Sequence, residues 1–251
     1  MPTVSRALSD APDIGVETKK LIRKIANEIG YVPNRAGVRL RTGRTNVISL
    51  VMSTEHDMMN HTARLISSVA GGLRDTPYHL IVTPFFPNED PMRPVRYIVE
   101  SGSADAIILN QIRPQDPRVT YLMERGFPFA THGRTDWADK HPYYDFDNGA
   151  FGAIAVHRLA ARGRKVIAAL VPPRDHNYAF HMIEGMQRAA QEAGVTLRLI
   201  DTVTSDNASA EVVVAVQDLL GAQRDIDAII TASTSSAMAV VGAPAPAMRR
   251  R

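Results

Sequence analysis

A chain of 251 residues that is 45% hydrophobic and 22% charged has room for a small module plus one or two α/β lobes around a substantial core. The absence of cysteine excludes disulfides, thiolate metal sites and thiol chemistry, and it fits a reducing cytoplasm. No stretch reaches the roughly 18 to 20 continuous apolar residues of a membrane span, the first residues carry no basic-then-apolar signal pattern, and the histidines never take a metal-ligand spacing. The expectation is a cytoplasmic protein with no membrane partner, no metal and no other cofactor.

The formal charge of +3 is unevenly placed. Residues 1–44 hold nine Lys/Arg against four acids, a net of +5, so the remainder of the chain sums to −2. A cationic end of this kind favours a polyanion by releasing its counterions. Within it, Thr3-Val4-Ser5-Arg6-Ala7-Leu8 predicts a short helix that buries Val4, Ala7 and Leu8 and turns Thr3, Ser5 and Arg6 outward. After the turn at Asp10-Ala11-Pro12-Asp13, the spacing predicts a second helix over 16–30. Its apolar set is Leu21, Ile22, Ile25, Ala26 and Ile29, with Glu17 in the first turn and Gly30 as the stop. Pro33 prevents simple continuation. A third short helix over 35–41 carries Arg35, Arg39 and Arg41 with Val38 and Leu40, too little apolar surface to stay folded alone, so it should order on a partner.

After Arg44, strands and helices alternate. Strands are expected over 46–52, 78–83, 104–109, 127–131 and 143–147, with helices over 62–74, 92–102, 116–125 and 148–162. A second series follows, with strands over 165–171, 196–201 and 226–231 and helices over 178–193, 208–220 and from 235 onward. This alternation implies parallel sheets with helices on both faces.

The basic end and the body together resemble one known family. Thr3-Val4-Ser5-Arg6-Ala7-Leu8, then Glu17-Thr18, then Ala26-x-x-Ile29-Gly30-Tyr31-x-Pro33-Asn34, then Leu40-Arg41-Thr42-Gly43-Arg44-Thr45 are similar in order and spacing to the lactose-repressor/galactose-repressor family of bacterial transcription regulators. The resemblance implies an α/β protein. A partial helix-turn-helix and a hinge helix would be followed by a two-lobed periplasmic-binding-protein-like sensor with parallel sheets, its second lobe incomplete. The implied divisions are a DNA-binding module and hinge at 1–44, a first lobe at 45–164, an incomplete second lobe at 165–241 and an irregular Ala/Pro/Arg tail at 242–251. The first helix becomes the recognition helix, and the hinge becomes a minor-groove element in which Leu40 is the wedge that opens a base step. DNA contacts are then expected from Thr3, Ser5, Arg6, Tyr31, Asn34, Arg35, Arg39 and Leu40. Arg6 is the principal reader, because a guanidinium fork pairs with a guanine edge or a phosphate.

In the body, Asp147-Asn148-Gly149-x-x-Gly152 follows a strand end, where open parallel sheets place ligands. Asp147 reads equally as an acceptor for sugar hydroxyls and as a helix cap. His56, Phe85, His132, Arg134 and Trp137 also follow strand ends, and Trp137 offers a flat apolar face to a pyranose. Tyr178, His181, Met182 and Thr234 complete the effector candidates. Met182 stands where many members of the family carry arginine, and Thr234 where they carry a carboxylate. No Ser-His-Asp or paired-carboxylate set is recognisable, so an enzyme is not expected.

The resulting expectation is an effector-responsive repressor of carbohydrate-related genes, or a truncated remnant of one. Its partners would be a palindromic operator, a small-molecule effector with sugars as the candidate class, and a second copy of itself. The alternative is a cytoplasmic sugar-binding protein or α/β enzyme. The family pattern would extend before Met1 by a helix that backs the recognition helix and would continue past Val241, so a misassigned start codon or a truncated gene at one end, and a frameshift or truncated gene at the other, are expected, with loosened packing of the DNA module.

Overall fold

The computed structural model describes residues 2–31, 35–54, 59–86 and 88–242. The basic end forms α1 (Pro2–Leu8), α2 (Val16–Glu28) and α3 (Arg35–Thr42). α1 packs on α2 through Ala7, which is fully buried, and Ala26, with Val4, Leu8 and Ile22 half-buried around them. Asp10 turns the chain between the helices at φ 60, and its carboxylate meets Lys19 at 3.2 Å and Arg23 at 3.0 Å. The Lys19 hydrogen bond and charge, with help from Arg23, hold that carboxyl below the usual aspartate range. A seven-residue helix can cover only one side of its 13-residue neighbour. Hence Ile22 and Ala26 are used in packing, whereas Leu21, Ile25 and Ile29 of the same apolar set face solvent.

α3 is helical over Arg35–Thr42 and does not stand apart from the body. Arg39 Nη2 donates to the carbonyls of Ser101 and Gly102 at 3.0 and 2.8 Å, satisfying acceptors that a helix end leaves open.

The linker after α3 is clamped as well. Asp105 accepts from Thr45 N, Thr45 Oγ1 and Asn46 N at 2.7 to 2.9 Å, which fixes the entry into β1 (Val47–Ser53). The first sheet has the all-parallel order β2-β1-β3-β4-β5, with β2 (His79–Phe85), β3 (Ala106–Leu109), β4 (Phe129–His132) and β5 (Tyr143–Tyr144). Its main core joins Val51, Ile107 and Leu109 to Val95 and Ile98 of α5 (Met92–Ser101) and Val119 and Leu122 of α6 (Pro117–Glu124). The chain reverses direction across the sheet at β2, so right-handed crossovers place α4 (Met59–Gly72) on the opposite face. There Leu65, Ile66, Val69 and Leu73 are only half-buried and Ala70 is exposed.

The second sheet is parallel with order β7-β6-β8, from β6 (Val166–Leu170), β7 (Thr196–Leu199) and β8 (Ala228–Thr231). One face takes α8 (Asn177–Ala193) through Met182, Met186, Ala189 and Ala190. The other takes α9 (Ser209–Ala222) through Val212 and Val216, with α10 (Thr234–Gly242) beside it. Strand–helix order and sheet direction follow the sequence expectation throughout.

One boundary moves. α7 (Asn148–Ala160) belongs by sequence order to the first lobe, which was expected to run to 164. Its buried Val156 instead packs with Ile167, Met182 and Met186 of the second sheet and α8. The physical reason is a close helix–helix contact made by glycines. A Cβ built on Gly185 would lie 2.0 Å from Gly149 O, and one on Gly152 would lie 2.3 Å from Met182 O, so α7 and α8 meet backbone to backbone. The segment 243–251, with its Ala/Pro/Arg pattern, lies outside the described residues.

Candidate functional site

The cationic end presents most of its expected contacts to solvent. On α1, Thr3 and Arg6 are exposed and Ser5 is half-buried. Arg6 is engaged by Asp13 at 2.6 Å, a partnership that sequence reading missed although both residues flank one turn. Tyr31 is exposed, and its backbone N–H donates to Ala26 O at 2.8 Å, closing the end of α2. Asn34 lies outside the described residues, and Arg35 is placed as the first residue of α3. Leu40 is 90% exposed. Arg39, expected on phosphate or in a narrow groove, is held by the α5 carbonyls.

The second candidate region lies where the carboxyl ends of the two sheets face each other. After β3, the buried Asn110 accepts from Gln111 N at 2.8 Å through its own Oδ1, which also lies 3.3 Å from His132 Nδ1. Gln111 is buried at φ 53, a left-handed conformation that costs free energy in a non-glycine residue. Arg118 holds that turn. Its Nη2 donates to the carbonyls of Asn110 and Gln111 at 3.2 and 2.9 Å, while Nε and Nη2 also bond Asp116 at 2.9 and 2.7 Å. Burial alone would raise the Asp116 carboxyl, but the hydrogen bonds and charge of Arg118 outweigh it and hold the group below the usual range.

After β4, Arg134 Nε donates to Asp145 Oδ2 at 2.7 Å, and His132 stacks on Tyr144 with ring centres 6.1 Å apart. From the second lobe, Asn177 Nδ2 donates to Arg134 O at 2.6 Å and Asn177 N donates to Ile112 O at 2.8 Å. Beside it His176 stacks on Tyr178 at 5.6 Å, and the half-buried Tyr178 also packs against the core of the second lobe. The structure therefore brings Arg134, His132 and Tyr178 to the facing sheet ends, together with Asn110, Asp145 and Asn177. Asp145 and Asn177 were detectable in principle as polar residues directly after a strand and at a helix start.

Several expected effector residues are engaged in packing instead. Phe85 and Trp137 lie against the first hydrophobic core, and Phe85 also has the Arg118 guanidinium 6.0 Å from its ring centre. Met182 is 4% exposed between α7 and the second sheet, because the glycine contact draws its turn of α8 against α7. His181 lies on that same helix pair, with Phe180 at 5.5 Å and Glu184 at 3.9 Å. Asp147 serves as the α7 cap, accepting from Ala150 N at 2.8 Å. Thr234 is exposed at the start of α10, where Ser233 Oγ is the capping acceptor for Ser236 N at 3.1 Å. His56 lies outside the described residues. A cavity of about 800 Å³ opens elsewhere, against β7 and α9, and is lined by residues such as Leu199, Val203, Val214 and Leu219. Among the described residues no helix is long and apolar enough to cross a membrane.

Residues 63–245 match the family model described as periplasmic binding proteins and sugar binding domain of LacI family, and residues 1–34 match that of bacterial regulatory proteins, lacI family. The chain belongs to the LacI family. Among curated relatives, the HTH-type transcriptional regulator AglR of Rhizobium meliloti (strain 1021) is 32% identical over 198 residues, which are 78% of this chain and 55% of AglR. The HTH-type transcriptional regulator RafR of Escherichia coli is 32% identical over 231 residues, 91% of this chain and 68% of RafR. The solved structure titled transcriptional regulator CelR-cellobiose complex superposes with a TM-score of 0.66 at 23% identity, covering 96% of this chain and 72% of that one. LacI-family membership accounts for the order of a helical basic end, a hinge and two parallel-sheet lobes, and this superposition carries the fold.

Proposed function

We propose that this LacI-family chain is a DNA-binding transcription regulator of carbohydrate-related genes whose affinity for its operator responds to a small molecule held between the lobes. The observation that carries the reading is the physical order of the parts. A cationic module with an outward-facing α1 and a hinge helix exposing Leu40 is clamped by Asp105 and Arg39 to a two-lobed body. The proposed divisions are a DNA-reading module at residues 1–44, a first lobe from 45 to β5 and a second lobe from α7 onward. Thr3, Ser5, Arg6, Asn34, Arg35 and Leu40 contact DNA, and Tyr31 sets the turn beneath them. Arg39 leaves the α5 carbonyls to join them.

A sugar is the proposed effector class. The facing sheet ends offer a guanidinium, a carboxylate, amides and aromatic faces, from Arg134, Asp145, Asn110, Tyr144 and Tyr178, which suits hydroxyl-rich ligands with apolar ring faces. The relative CelR, solved with cellobiose, supports that class. The protein acts in the cytoplasm as a homodimer. α4 supplies one contact through Leu65, Ile66, Val69, Ala70 and Leu73, so that two hinge helices meet paired half-sites of a palindrome. Binding and release, without turnover, constitute its activity.

The test is selection of duplexes from a random library followed by fluorescence anisotropy across a salt series. The expected result is a two-fold symmetric consensus, a steep fall in affinity with salt, and loss of affinity of about tenfold or more on Leu40→Ala. Recovery of no preferred sequence, or salt-independent binding, would overturn the reading.

A further inference from the structure

We infer that Asn177 is a clasp that ties the two lobes together and seats Arg134. Asn177 is the first residue of α8 on the second lobe, yet it is 6% exposed, and both of its donors point into the first lobe. Its backbone N–H bonds Ile112 O at 2.8 Å on the turn after β3, and its side-chain amide bonds Arg134 O at 2.6 Å on the turn after β4. Two neighbouring strand ends of the first sheet are thereby pinned to one residue of the second lobe. Among the described residues the backbone passes between the lobes from β5 to α7, and the Asn177 bonds add non-covalent ties at the strand ends.

The chemistry selects an amide. Asparagine donates without charge over the short reach required. Alanine there would leave the half-buried Arg134 carbonyl without its donor, and a carboxylate would repel it. Another tie, Arg113 to Asp175 at 2.9 Å, has both side chains about half exposed and is screened accordingly, and Asn148 Nδ2 of α7 donates to Asp145 Oδ1 at 3.3 Å beside the crossover. Arg134 is the consequence that matters for the cleft. With its carbonyl held by Asn177 and its Nε on Asp145, its main chain and head group are both fixed. A tie that favours the binding-competent arrangement of the lobes lowers the population cost that an effector meets. Asn177 is thus a positioning residue that regulates the proposed effector site.

The chain's lack of cysteine makes the test direct. Nitroxide labels on Tyr97→Cys in the first lobe and Gln191→Cys in the second, both exposed positions, are read by pulsed dipolar spectroscopy. Dilution with unlabelled protein restricts the reading to distances within one chain. The parent should give one narrow distance. Asn177→Ala should add a longer one, with the open-to-closed ratio rising roughly 5- to 150-fold, as expected for a coupling of about 1 to 3 kcal/mol. Asn177→Asp keeps the backbone bond and suits a helix start, so it serves if the alanine variant does not fold, and it should open the lobes comparably. Asp175→Ala should change the ratio by less than about fivefold. Parent-like distributions in folded Asn177→Ala and Asn177→Asp would overturn the proposal. The measurement needs neither DNA nor a sugar, so its failure and the failure of the regulatory reading are separately visible.

Discussion

Replacing Gly185 by alanine adds one methyl group in a place where it has nowhere to go. The new Cβ would lie 2.0 Å from Gly149 O, 2.7 Å from Gly149 C and 2.8 Å from Gly149 Cα. All three are backbone atoms of α7, so no side-chain rotation relieves the overlap, and the helices must separate by more than 1 Å to restore ordinary contact. Separation would loosen Val156, Met182 and Met186, the residues that join α7, α8 and the second sheet. Overpacking of this kind costs about 1 to 3 kcal/mol, and more where backbone must move. Alanine's better helix propensity returns only about 1 kcal/mol. Because every overlapping atom is backbone, the cost lies at or above the top of that range, and the expected net is a loss of roughly 2 kcal/mol or more, read as a lower urea midpoint in equilibrium unfolding followed by far-UV circular dichroism. The contrast is Gly71→Ala on α4, where nothing lies within 4 Å of the new methyl. That variant should be neutral or stabilised by up to about 1 kcal/mol. Equal or greater stability of Gly185→Ala than the parent would refute the close-contact reasoning.

Asp116→Ala should lower stability by about 3 to 5 kcal/mol in the same assay, because it leaves the buried Arg118 guanidinium without its counter-charge and removes the α6 cap. Asp116 and Asp105 both have depressed carboxyls in the folded chain. At Asp105 burial works upward, but hydrogen bonds from Thr45 and Asn46, aided by Arg44, outweigh it. Their stabilisation is therefore complete above the unfolded aspartate value near about 3.9 and is lost as pH falls below it, and Asp105→Asn should make the acid-side decline measurably shallower. Asp13→Ala frees Arg6 from its 2.6 Å ion pair and removes an acid from the DNA-facing end, so affinity for duplex DNA should rise by up to about fivefold in anisotropy titrations at low salt.

What the sequence disclosed and what it hid divide along a physical line. Apolar periodicity is a property of single elements, so the helix and strand order, the parallel sheets and the outward face of α1 were all readable from spacing. Whether a residue at a strand end faces a cleft or a core depends on how elements meet, and spacing does not carry that. Trp137 follows a strand end, as Arg134 does, yet the turn held by Thr135 Oγ1, which accepts from Trp137 N at 3.0 Å, directs the indole against the core of the first lobe. Met182 shows the same limit through a helix pair. Gly149, Gly152 and Gly185 were visible as glycines, but only the approach of α7 to α8 reveals that they serve contact between backbones. That approach explains two things at once. It carries α7 into the second lobe, moving the boundary to the end of β5, and it buries the α8 position at which the family resemblance led to expecting an effector contact. The polar contact between the lobes is consequently made one turn earlier on α8, at Asn177, where the helix starts and the glycine contact no longer constrains it.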